Sequence, residues 1–250
     1  MRGNDKWKAV LVLLAFSVGS LMAGPATAAK VKRSKEHMPL PGKTYSWTFE
    51  ADTLGLKPAH TMAFGGTWQV IEDSTALVAA DSIAVPTDSV APAPPPRPKA
   101  PRFLNQSETD DGVAYHYINF TRPTLMDLDA SVRFRIRGGE IDPSAGLLFQ
   151  MDPKGTSGYL VRVIARDSEI AFQYLLYGKR RDVKFAPIPT LEPGSWHTVG
   201  ITRRRTVLTI LYDGKEVMTV RDDRYRKGTV GVWTEDDSLV DFAGLTATAR

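Results

Sequence analysis

The sequence predicts an all-β fold in which two antiparallel sheets pack face to face as a sandwich. The first observation is a strict alternation: Leu128, Ala130, Val132, Phe134 and Ile136 interleave with Asp129, Ser131, Arg133, Arg135 and Arg137. Such a run has one packed face and one wet face, as an antiparallel strand requires. The second is Asp213-Gly214 between LTILY and KEVMTV, a two-residue turn whose central positions need positive φ, which Asp-Gly tolerates. The third is a series of short apolar runs punctuated by Gly, Pro and Asp, with no helical period between them.

At the N-terminus, MRGNDKWK is basic and is followed by an apolar run from Ala9 to Phe16 that fades by Met22. That run is shorter than the roughly 20 residues of a membrane span. Ala26-Thr27-Ala28 supplies a small-x-small cleavage pattern, so residues 1–28 read as a secretory signal peptide. No cysteine follows the apolar run, which excludes a lipoprotein, and the expectation is a soluble periplasmic or extracellular protein with no transmembrane span after cleavage. Cysteine is absent throughout, which excludes disulfides, thiolate metal sites and a cysteine nucleophile. The formal charge of +4 includes three bases and one acid of the signal, leaving +2, too little to suggest a nucleic-acid partner.

Residues 29–44 are polar and basic and read as a flexible leader. Order is expected from Tyr45, where Tyr45, Trp47 and Phe49 alternate with polar residues. Trp68 and Val70 suggest a second strand. From about 73 to 101 the composition turns to Ala, Ser, Asp and Pro and ends in APAPPPRPKAP, a disordered insertion that cannot pair inside a sheet because proline lacks the amide donor. Two strands are too few to fold alone, so residues 45–250 are expected to form one domain around this insertion. Further strands are expected over 114–120, 128–137, 146–151, 159–166, 170–177, 196–202, 206–212, 215–221, 229–233 and 240–249.

The succession Gly146-Leu147-Leu148-Phe149, Gly158-Tyr159-Leu160-Val161-Arg162, Tyr177-Gly178-Lys179-Arg180, Gly194-Ser195-Trp196-His197, Tyr212-Asp213-Gly214 and Gly228-Thr229-Val230-Gly231-Val232-Trp233 resembles the concanavalin-like, laminin-G-like jelly rolls. Within them it is most similar to bacterial exported domains of the 3-keto-disaccharide hydrolase kind, related to the family 16 glycosidases. The resemblance implies a jelly-roll sandwich. It leaves three functions open, since that superfamily holds enzymes, carbohydrate binders and interaction domains.

For a binder of glycans or another envelope component, the candidate contacts are Trp233, Arg162, Gln150, Tyr174 and Arg180 on a concave sheet. An indole face stacks on sugar rings, and a guanidinium forks onto hydroxyls or a carboxylate. For a glycosidase, the acid and base candidates are Glu140, Glu235 and Asp237, because that chemistry needs a carboxylate pair. Glu140-Ile141-Asp142 lies between Gly138-Gly139 and Pro143, so a turn is expected there. The acidic loop Glu235, Asp236, Asp237 with Asp241 would suit calcium by its oxygens but matches no calcium-loop spacing. His37, His60, His116 and His197 lack metal-ligand spacing, and His197, in phase with Val199 and Ile201, reads as structural. No cofactor is implied.

Overall fold

The computed structural model describes residues 38–73, 99–109 and 114–250. The signal peptide, most of the leader and the bulk of the proline-rich insertion expected from the sequence lie outside these residues. The regular elements described are all strands: β1 (Thr44–Trp47), β2 (Thr61–Phe64), β3 (Trp68–Glu72), β4 (Arg102–Gln106), β5 (Tyr115–Phe120), β6 (Leu128–Gly138), β7 (Ser144–Met151), β8 (Gly158–Ile164), β9 (Glu169–Leu176), β10 (Lys179–Pro187), β11 (His197–Arg204), β12 (Val207–Tyr212), β13 (Lys215–Arg221), β14 (Thr229–Glu235) and β15 (Leu239–Ala249). Among the described residues no helix is long and apolar enough to cross a membrane.

The strands form two antiparallel sheets. One runs β13-β12-β11-β6-β15-β4-β3, with β1 paired to the end of β15; the other runs β10-β9-β8-β7-β14-β5-β2. The inner faces follow from alternation. β6 sends Val132, Phe134 and Ile136 inward, and β15 sends Val240 and Phe242. From the other sheet Leu147 and Phe149, Tyr159 and Val161, Ile170 and Phe172, and Val230 and Val232 meet them. Burial of so many large side chains is the main force holding the two sheets together.

The hairpin expected at Asp213-Gly214 joins β12 to β13, with φ of 47° and 76° at the two residues. Three strands were not expected from the sequence: β2, β4 and β10. β4 is flanked by proline and ends in polar Asn105 and Gln106, whose burial between β3 and β15 no local pattern announces. β10 reads KRRDVKFAP, a charged run without alternation, because it is the edge of its sheet and carries a bulge between Asp182 and Lys184. Charge and bulges are how exposed edges resist pairing with other chains.

Candidate functional site

Strands that bury one set of residues between the sheets present the alternate set on the outside. On the seven-stranded sheet the outward set is not simply solvated. Tyr117, Leu148, Met151, Leu160, Leu175 and Trp233 form a second buried apolar cluster, with Phe64 and Tyr115 packed against it. Cross-strand pairing sets the layout. Tyr117 faces Trp233, Trp233 faces Gly146, Gly146 faces Arg162, Arg162 faces Ala171, and Ala171 faces Phe185, a single row across β5, β14, β7, β8, β9 and β10.

At one end of the row the aromatic rings stack. Phe64 and Tyr117 lie 4.6 Å apart at 13°, Tyr117 and Trp233 5.2 Å apart at 16°, and Tyr115 closes on Trp233 at 4.8 Å. Gly146 leaves the space between Trp233 and Arg162: a Cβ there would come within 3.2 Å of Trp233 Cβ and 2.8 Å of Leu160 Cδ1.

Beside this wall sits a charged cluster. Arg162 Nη1 donates to Glu235 and, at 2.7 Å, to Asp142 Oδ2; Arg180 Nη1 donates to the same Glu235 oxygen. The Arg180 guanidinium also lies 5.3 Å from the centroid of Tyr115. Both guanidinium groups are thus engaged by carboxylates. Burial pushes the Glu235 carboxyl above the ordinary glutamate value of 4.5. Arg162 and Arg180 pull it down, and the nearby Asp142 charge adds to the rise.

The buried polar atoms on this face without a hydrogen-bond partner include Trp233 Nε1, Arg162 Nε and Gln173 Oε1. Gln173 is in phase with Leu160 in the adjoining row, and its Nε2 donates to Asp182 Oδ1 at 2.6 Å. An unmade hydrogen bond at a buried group costs about 1–3 kcal/mol.

The structure brings together some of the expected site residues and separates others. Arg162, Arg180 and Glu235 meet. Trp233 is on the same face but has no exposed surface, and its ring is taken up by Tyr115 and Tyr117. It therefore is not the stacking platform expected of it. Gln150 and Tyr174 are corrected outright. Tyr174 shares the inward phase of Ile170 and Phe172 and packs on the main core. Gln150 is the extra residue of a bulge between β7 and β14, with φ of 51°. Its Nε2 donates to Met126 O and Arg226 O, and its Oε1 accepts from Arg203, which closes a polar network away from the site.

The carboxylate trio is likewise not assembled. Asp237 accepts from the backbone amides of Glu140 and Ile141 and so caps their turn, while the Glu140 side chain is exposed. Asp142 is the carboxylate that stands beside Glu235. Nor does the acidic loop converge on one point. Asp236 accepts from the amide of Ala114, and Asp241 lies on the other sheet between Asn105, Arg135 and Arg137. Oxygens of Asp142, Glu235 and Asp236 come within 4.8 Å of one another, but the Arg162 guanidinium sits among them. A cation there would compete with a fixed positive charge, so this donor set does not suit calcium.

A second groove, of about 500 Å³, opens on the outer face of the eight-stranded sheet against Arg135, Arg137, Asp73 and Asp241. There Arg135 bridges Asp73 and Asp241, so its charges satisfy one another.

No protein-family model matches the chain, and no curated protein matches it. Among solved structures, the carbohydrate-binding module CBM66 from Bacillus subtilis superposes with a TM-score of 0.56 at 14% identity, covering 76% of this chain and 96% of that one. The exoplasmic/lumenal domain of VIP36 in its Ca2+/Man3GlcNAc-bound form (TM-score 0.47, 12% identity, 59% and 78% covered) and the Bacillus licheniformis β-glucanase (0.45, 12%, 59% and 79%) are more distant. With the two antiparallel sheets above, the first likeness makes this chain a jelly-roll sandwich of the concanavalin-like kind. At that level of identity it speaks for the fold alone.

Proposed function

We propose that the chain is an exported, non-catalytic carbohydrate-binding sandwich whose site is the outer face of the seven-stranded sheet around Arg162, Glu235 and Arg180. The observation that carries this reading is the set of orphaned polar atoms. Trp233 Nε1 and Arg162 Nε are donors and Gln173 Oε1 is an acceptor. An anion would answer only the donors and a cation only the acceptor. Hydroxyl groups do both. Both guanidinium groups are already held by carboxylates, which disfavours an anionic ligand, so a neutral glycan fits better than a phosphate or a uronate.

Arg180 and Asp142 are the partly exposed members of the cluster and the groups a ligand meets first. The carbohydrate-binding module of the same fold agrees with this reading. The basic signal-like N-terminus supports export.

The test is a glycan array of neutral polysaccharides followed by calorimetry on the folded protein. Binding without turnover, lost in Arg162→Leu, is the expected result. No affinity for any neutral glycan sinks the proposal.

One observation favours a second reading, a glycoside hydrolase of the kind the sequence resembles: Glu235, with its raised carboxyl, and Asp142 share one guanidinium. In that reading Glu235 is the acid, and reducing sugar released from a bound glycan would replace simple binding.

A further inference from the structure

Resting on the reading above, we infer that the glycan site extends from Arg162 across Ala171 to the edge strand β10, where Phe185 is a stacking platform for a further sugar ring. The ligand is then a linear neutral oligosaccharide and not a single sugar.

Phe185 belongs to the same row as Arg162, because both pair with Ala171. It is 44% exposed, and no ring or cation contact occupies its face among the described residues. Ala171 between them is small and fully buried, and Arg162 and Phe185 stand two strand spacings apart across it, about 9–10 Å. Two linked pyranose rings span such a length.

The bulge between Asp182 and Lys184 is what creates this arrangement. Asp182 pairs with Gln173 and Phe185 with Ala171, so both point outward although they are three residues apart. In a regular strand an odd separation would put them on opposite faces. The extra residue re-aims Phe185, as bulges beside binding sites do. In the adjoining row exposed Asp182, bonded to buried Gln173, sets a carboxylate next to the aromatic face. Exposed Phe185 with flanking polar groups has the composition of a sugar subsite, in which a ring's apolar face stacks and its hydroxyls bond sideways.

The experiment is calorimetry of the full chain against cello-, xylo-, manno- and fructo-oligosaccharide ladders of one to six residues. For the series that binds, affinity should rise about 10-fold between the mono- or disaccharide and the tetrasaccharide, which is ~1.4 kcal/mol. Phe185→Ala should erase that rise while leaving affinity for the shortest member within about twofold, and Phe185→Trp should retain it. Circular dichroism checks the fold of each variant. A wild-type series that binds but stays flat with length, or a folded Phe185→Ala protein that keeps the rise, overturns the extension and leaves the Arg162 site standing. No binding of any ladder by the folded wild type overturns both.

Discussion

Replacing Arg162 by leucine tests whether the charged cluster is organised as the geometry implies. Arg162 is 5% exposed, and its guanidinium bonds the carboxylates of both Glu235 and Asp142. Its loss leaves a buried carboxylate that keeps only Arg180. Removing one partner of a buried ion pair costs about 3–5 kcal/mol, and the lower end applies because Arg180 remains. The variant should therefore lose about 3 kcal/mol in urea unfolding at pH 8, roughly 6–12 °C in Tm for a chain of this size. Without Arg162 the Glu235 carboxyl should rise further and shed its charge by protonation, so the loss should be smaller at pH 5. The double variant Arg162→Leu/Glu235→Leu removes both buried charges and should recover to within about 1 kcal/mol of wild type, since apolar replacements of buried pairs are often neutral. A loss under about 1 kcal/mol at pH 8, or a double variant whose cost equals the sum of the singles, would show that the pair is not coupled in the way described.

Other outcomes follow from the same structure. Because burial raises Glu235, the native state retains a proton that the unfolded chain has lost; stability from this group is full below pH 4.5 and declines as pH climbs through the native value. The difference between wild type and Glu235→Gln, followed by urea unfolding from pH 3.5 to 8, should carry that slope, and a slope of opposite sign would contradict it. Burial, helped by the charge of Asp152, pushes Tyr117 up to about 12; burial and a hydrogen bond to Asp222 do the same for Tyr159. Spectrophotometric titration should show these two phenols ionising only with alkaline unfolding, and early ionisation in Tyr117→Phe-sensitive signal would refute the packing. Gly228→Ala should be among the most damaging small changes, by about 3 kcal/mol or more. Its Cβ would fall 2.2 Å from the Gln150 carbonyl carbon, and backbone cannot step aside. Gln150→Ala should cost about 2 kcal/mol by removing one of the three acceptors that hold buried Arg203, yet leave glycan affinity of the folded fraction unchanged.

The fold was legible because its signals are local. Alternation in β6 announces one packed face, and Asp213-Gly214 announces its hairpin without reference to anything distant. The strands that escaped are those whose order comes from neighbours. β4 owes its place to pairing with β3 and β15, and its buried Asn105 is held by Asp241, more than a hundred positions away. β10 has the charged, bulged sequence of an edge, which at the level of pattern looks like a loop.

The site was legible only in part, and phase explains both the successes and the failures. Arg162 could be picked out because a charge amid apolar strand residues is conspicuous, and Arg180 as its neighbour in strand order. Gln173 was equally readable: Ile170, Phe172 and Tyr174 are a bulky in-phase set that belongs to the core, which turns Tyr174 inward and Gln173 outward. Tyr115 and Tyr117 follow from the same rule, since Ile118 and Phe120 take the inner face. Gln150 and Phe185 are different. Each sits at or beyond a bulge, where one extra residue reverses the count, and no composition marks the insertion. Simple alternation therefore sends Gln150 into the site and Phe185 away from it, while the structure does the reverse with both. If Phe185 carries the chain-length dependence proposed for it, the specificity of this surface depends on a single irregular residue step in an edge strand. Deleting that step by removing Val183 should then turn Phe185 toward the neighbouring sheet and abolish the tetrasaccharide gain without touching the Arg162 cluster.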